Sequence, residues 1–293
     1  MGFVKKEIKK IGKHILGSTC PTVAPGFIIA GAQKSGTTAL HYYLNQHPRL
    51  LGSRPKEVSF FSNEQAYVRG IDWYHRCFIN TKRPFSEVVS FEATPEYLYY
   101  DFVAQRIYNY NPDMKIVCLL RDPVDRCYSA WNMYSYFKYR DQGVPKLLLD
   151  HGSDKNLNAL SGLYKTKEFP KFREVMDEDI ERWRSGDNLQ EPSFVRRGIY
   201  IEQVKRYIEL FGFDNVLIIG FKELTGGDKV NSLNRVLDFI GMKECDWSFL
   251  KDEKRNSRHY TSPMSQDERE KLIDFYEPFN QELYHLLDKK LDW

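Results

Sequence analysis

The chain contains no run of about 20 apolar residues, the length a bilayer-crossing helix needs, so no membrane span is expected. It has five cysteines, Cys20, Cys77, Cys118, Cys127 and Cys245, an odd number. Among them is neither a CxxC pair nor a Cys/His spacing of the metal-holding kind. No disulfide framework can be read, which fits a reducing compartment. Cys118 lies inside an apolar run and reads as a buried thiol. A large excess of one charge is missing too. Lys and Arg number 43 against 40 Asp and Glu, a net of +3. That balance argues against nonspecific nucleic-acid binding but leaves room for a local basic cleft. There is no internal repeat and no low-complexity tract, and residues 1–16 lack the long apolar core and cleavage site of a secretory signal.

What is present is the composition of a globular protein: 293 residues, 42% hydrophobic and 28% charged. The length allows one large α/β domain or two small ones. In residues 1–25, Lys5, Lys6, Lys9, Lys10 and Lys13 alternate with Val4, Ile8, Ile11 and Ile15. This basic segment reads as a solvated helix packed on the domain, or as a weak membrane contact. The remainder, 26–293, reads as a single domain.

Strand and helix signals alternate along it. Phe27-Ile28-Ile29-Ala30-Gly31 reads as a buried parallel strand, followed by the loop Ala32 to Gly36 and a helix from Thr37 to Asn45. Further strands are expected over Val88 to Phe91 (meeting Glu92), Ile116 to Leu120 and Asn215 to Phe221. Helices are expected over Val124 to Tyr136, Tyr200 to Phe211 and Gln266 to Leu287. The fold class is therefore α/β: a central parallel sheet flanked by helices. Ligands in such sheets bind beyond the carboxyl ends of the strands, which groups the loop 31–38 with Glu92 and Arg121. Residues 141–194 carry fewer apolar runs, with one helix suggested by Phe172, Val175, Met176, Ile180 and Trp183. They read as an insertion over the acceptor side of the active face.

The loop Gly31-Ala-Gln-Lys-Ser-Gly-Thr-Thr38 is P-loop-like without being a Walker A sequence, because Lys34 precedes Gly36 and threonines follow. It still has the parts of an anion site. Gly36 permits close backbone approach, helix-start amides point outward, Lys34 adds a charge, and Ser35, Thr37 and Thr38 offer hydroxyls. Without the Gly-Lys-Ser/Thr order it lacks the usual hydroxyl for a magnesium ion, so no metal is expected.

Lys34-Ser-Gly-Thr-Thr-Ala-Leu40 resembles the 5′-phosphosulfate loop of sulfotransferases that use 3′-phosphoadenosine 5′-phosphosulfate (PAPS). The blocks Leu44 to Pro48, Pro55-Lys-Glu-Val-Ser-Phe-Phe61, Gly70 to Tyr74, Phe91 to Tyr97, Leu120 to Ala130 and Tyr276 to Tyr284 extend the resemblance. In this order they are similar to heparan-sulfate and other glycan sulfotransferases, above all the N-sulfotransferase domain type. The likeness runs from residue 26 onward and is weakest across 141–194.

The resemblance implies a nucleotide-binding site for PAPS and its product 3′-phosphoadenosine 5′-phosphate (PAP), with Arg121 and Ser129 on the 3′-phosphate. It adds Tyr200 near the nucleotide and Arg255, Asn256, Ser257 and Arg258 in a late basic loop. There, Asn-Ser-Arg departs from the family's Lys-Gly-Arg. It makes Glu57 the general base and gives Lys34 the charge on the leaving phosphate. Lys56 and Glu92 fall on the acceptor side, Glu92 as an orienting or a structural group. Ser59 and Ala93 replace the His and Lys of some glycan O-sulfotransferases, which implies a different acceptor. Its expected partner is a carbohydrate or other small molecule bearing a hydroxyl or amine. Two other readings are a P-loop kinase for a small metabolite and a silent nucleotide- or glycan-binding module. A cytoplasmic location is expected, or the Golgi lumen for a trimmed domain.

Overall fold

The computed structural model describes residues 24–78, 88–141, 154–187, 190–252, 260 and 263–293. Five strands form one parallel sheet: β1 Pro25–Gly31, β2 Leu50–Gly52, β3 Val89–Ala93, β4 Lys115–Leu120 and β5 Val216–Gly220, in the order β2-β3-β1-β4-β5. The chain passes from β1 to one side of the sheet and, after β3, crosses to the other. The carboxyl end of β1 is thus the switch point where a crevice opens.

The pleat explains why these segments are apolar throughout. Phe27, Ile29, Val117, Leu119 and Ile219 enter the core on one face, with Leu40 and Leu44 of α1 (Thr37–Leu44) and Leu233 and Val236 of α10 (Lys229–Phe239). Ile28, Ala30, Ile116, Cys118 and Leu120 enter the other face. There they meet α4 (Asp101–Tyr110), α5 (Pro123–Asp141), α8 (Tyr200–Phe211) and α11 (Gln266–Leu287). Strands covered on both sides lose the polar–apolar alternation of a half-exposed sheet. Cys118 is fully buried as expected, and burial pushes its thiol up to about 12.

Helices α8 and α11 have their expected bounds, and α11 runs through Pro278. Helix α5 starts at Pro123, a favoured first position, and continues past the expected Tyr136 to Asp141. Two short helices, α2 (Glu64–Tyr67) and α3 (Ile71–His75), follow the Pro55–Phe61 block.

In the segment 141–194, α6 (Asp154–Lys165) and α7 (Phe172–Arg184) appear. Tyr164 of α6 donates to the carbonyl of Tyr134 (3.1 Å). Trp183 of α7 packs edge-on against Phe275 and Phe279 of α11. Asp179 of α7 is buried and accepts backbone N–H groups of Phe194 (2.8 Å) and Val195 (2.6 Å), which sets the turn leading into α8.

Gly31 closes β1 where the backbone of the next turn passes overhead. A Cβ there would lie 2.6 Å from Cβ of Leu98 and 3.0 Å from the carbonyl of Pro95. Neither atom is a flexible side-chain tip, so Gly31→Ala is expected to cost about 1–3 kcal/mol by overpacking. Urea unfolding measures this, and unchanged stability would contradict the packing at the end of β1.

Candidate active site

The loop from β1 to α1 is built to leave amides open. Gly36 caps α1 with φ 93°, has no side chain to accept from the first turn, and leaves those N–H groups for another acceptor. A Cβ on Gly36 would meet the Phe221 ring at 3.2 Å. Ala32 N–H donates to the carbonyl of Leu119 (2.7 Å), tying the loop to β4. Lys34, itself at φ 68°, is partly exposed, Ser35 and Thr37 are buried, and Thr38 is partly exposed.

Arg121, one residue past β4, reaches back to this loop. Its Nη1 donates to the carbonyl of Lys34 (3.2 Å), and its guanidinium lies 4.8 Å above the Phe221 ring. Phe221, the first residue of α9 (Phe221–Thr225), is thus a plate between Gly36 and Arg121. Tyr200 is buried at the start of α8, where its hydroxyl donates to the carbonyl of Arg121 (2.9 Å) and faces Ser35. Ser129 is buried about two turns into α5.

Arg255, Asn256, Ser257 and Arg258 lie outside the described residues, as does Lys254. The described flanks of their segment are anchored on α1 and on α5. Asp252 accepts from Tyr43 of α1 (2.8 Å) and pairs with Lys229 (2.6 Å), while Tyr260 packs edge-on against Tyr128 of α5.

Lys56 and Glu57 form an ion pair, each only partly exposed. Glu57 has φ 62° and Ser59 φ 56°, the left-handed region that side-chain-bearing residues seldom adopt. The block is held from several sides. Ser53 N–H donates to Phe91 O (2.8 Å), Arg54 N–H to Cys77 O (2.8 Å), Ser59 N–H to Thr94 Oγ1 (3.3 Å) and Phe61 N–H to the Tyr97 hydroxyl (3.2 Å).

Behind this block lies Glu92, with no solvent exposure. Its Oε1 accepts the hydroxyls of Thr94 and Tyr97, each at 2.7 Å, and its Oε2 accepts that of Tyr74. Burial pushes the Glu92 carboxyl above the usual carboxylate range, against the pull of these donors. The acceptor contact expected of Glu92 finds no exposed oxygen in this structure.

Sequence reading did not single out Phe221, His41 or Glu96. Phe221 read as the end of a strand. His41 of α1 is mostly buried, its ring 5.2 Å from that of Phe91. Burial, reinforced by the ammonium of Lys56, pushes the imidazole down to about 4. Lys56 also acts on the buried carboxyl of Glu96, which burial pushes up. His41 and Glu96 carried no local signal, because only the fold brings them to Lys56. His75 bonds the Tyr110 hydroxyl (2.7 Å). Among the described residues, no group of three or more His, Cys, Asp or Glu side chains is placed to hold a metal ion.

The sulfotransferase-domain family matches residues 24–274. The membrane-associated sulfotransferase kil1 of Dictyostelium discoideum is 26% identical over 99% of this chain and 72% of that protein. The human bifunctional heparan sulfate N-deacetylase/N-sulfotransferase 3 is 30% identical over 92% of this chain and 30% of its own length. The crystal structure of a sulfotransferase from Alicyclobacillus acidocaldarius superposes with a TM-score of 0.66 at 31% identity, over 92% of this chain and 98% of that one.

His41 gives the site a pH signature. It is neutral in the fold down to about 4 and takes a proton on unfolding below 6.5, so stability falls as the pH drops through that window. The contribution is on the order of 3 kcal/mol. Denaturant unfolding across the window should show a shallower slope for His41→Gln than for wild type. Identical slopes would contradict the burial of a neutral imidazole.

Proposed function

The chain belongs to the sulfotransferase family, and from that premise we propose that it transfers a sulfuryl group from PAPS to a hydroxyl or amine of a carbohydrate. The reading is supported by two loops that follow strands β1 and β2 of one parallel sheet and are linked through the Lys56 ammonium acting on His41 of α1. One offers uncapped helix-start amides with Lys34 and Arg121, and the other offers Glu57 on a held, left-handed backbone. The residues fit the donor. Two phosphate positions need two clusters of donors and cations, and the first-turn amides with Lys34 serve one while Arg121 with Ser129 serves the other. Support for a carbohydrate acceptor comes from the relative whose name specifies heparan sulfate.

When bound, PAPS supplies a sulfuryl group already activated on a phosphate. Transfer of such a group depends on alignment and charge stabilisation more than on covalent help. Glu57 accepts the acceptor's proton as the new bond to sulfur forms. Lys34 stabilises the charge that collects on the leaving phosphate oxygen. Lys56, paired with Glu57, steers that carboxylate and the incoming acceptor. Arg121 is held by the Lys34 carbonyl and the Phe221 ring, so its remaining N–H groups are preoriented. The reaction needs no metal in this scheme.

Labelled PAPS offered with a panel of glycans and small alcohols tests the reading. Sulfated product should appear without magnesium and survive a chelator. Glu57→Ala and Lys34→Ala should each lower kcat by about 10²–10⁴-fold while the circular dichroism spectrum is kept. Arg121→Ala should raise KM for PAPS. Magnesium-dependent transfer from ATP would point to the kinase reading. Wild-type turnover by either Glu57→Ala or Lys34→Ala would remove that residue from its role.

A further inference from the structure

Glu57 can act as a base only if its loop holds a backbone conformation that would relax without restraint. With φ 62° at Glu57 and 56° at Ser59, two side-chain-bearing residues of one short stretch lie in the left-handed region. Such geometry persists where the surrounding structure dictates it. The restraint nearest to Glu57 comes from two hydroxyls: Thr94 accepts from Ser59 N–H and Tyr97 accepts from Phe61 N–H.

A hydroxyl has one proton and can point it either way. What decides the direction here is Glu92. Its Oε1 takes both protons at 2.7 Å, so the lone pairs of Thr94 and Tyr97 are turned toward the loop. Tyr74 of α3 donates to the other oxygen, and the Ser59 amide also faces the carboxylate. Glu92 itself belongs to β3, paired to β1 in the sheet, so the restraint is referred to the strand that carries the phosphate loop.

We propose that Glu92 is a positioning residue for the reaction: it orients the Thr94 and Tyr97 hydroxyls that hold the backbone of the Glu57 loop, and through them it sets the base against the donor site. This rests on the reading of Glu57 as base. Glu92 touches neither substrate. Its effect passes through the hydroxyl relay to Ser59 and Phe61, and from there to Glu57.

The relay is tested by deleting hydroxyls and leaving volume almost unchanged. Thr94→Val and Tyr97→Phe should each lower kcat about 10–100-fold, the scale expected of a misplaced catalytic group. KM for PAPS should stay within about twofold, because Lys34 and Arg121 stand on other loops. In a Glu57→Ala background, Thr94→Val should lower kcat no further, since residues acting through one group are not additive. Glu92→Gln keeps an acceptor oxygen for Thr94 and Tyr97 and should recover most of the kcat that Glu92→Leu loses. Wild-type kcat in both hydroxyl variants would overturn the proposal, as would full additivity with Glu57→Ala. If Glu57→Ala is inactive while Thr94→Val and Tyr97→Phe are unimpaired, only the positioning role falls. If Glu57→Ala turns over at the wild-type rate, the base assignment itself falls. Should Glu92→Leu fail to fold, the two hydroxyl variants still decide the outcome.

Discussion

An uncapped helix start is the constraint around which the rest is arranged. Helix α1 begins on a left-handed glycine that has no side chain to accept its first amides. A buried polar group without a partner is costly, so this point must face water or an anion. The positive end of the helix favours the anion. Everything nearby is consistent with that polarity. Lys34 lies in the loop, Arg121 is drawn to it by the Lys34 carbonyl, and Phe221 sets the spacing between Gly36 and the guanidinium.

Three carboxylates near these cations are withdrawn or paired. Glu92 and Glu96 are buried behind the loops, and Glu57 is paired with Lys56. On the proposed reading, one crevice attracts a multiply charged nucleotide and still holds a proton acceptor. Different residues then carry different costs. On the proposed reading, loss of a cation weakens donor binding, whereas loss of a hydroxyl behind the loop leaves donor binding in place and displaces Glu57.

The sheet and the phosphate loop were legible because their signals are local. Ile28-Ile29-Ala30-Gly31 is too apolar for a surface segment, and Lys34-Ser-Gly-Thr-Thr follows where a helix must start. Helices α8 and α11 showed their periodicity for the same reason. The edge strand Leu50–Gly52 is only three residues long, too short to leave a pattern. Phe221 sits at a strand end in the sequence, and its part as a plate under Arg121 depends on β5 lying beside β4. The state of Glu92 was equally hidden. Its partners come from α3 and from the turn after β3, and no spacing rule announces that three hydroxyls will converge on one carboxylate. The late basic residues Arg255 to Arg258 lie outside the described residues.

On the proposed reading, the carboxyl end of the sheet holds both phosphate positions of the nucleotide. Titration calorimetry with the folded protein addresses it directly, comparing PAP with adenosine 5′-phosphate. Saturable binding of PAP is expected, weakening at least about tenfold when the 3′-phosphate is removed, with most of that difference lost in Arg121→Ala. No detectable binding of PAP, or equal affinity for the two nucleotides, would contradict it.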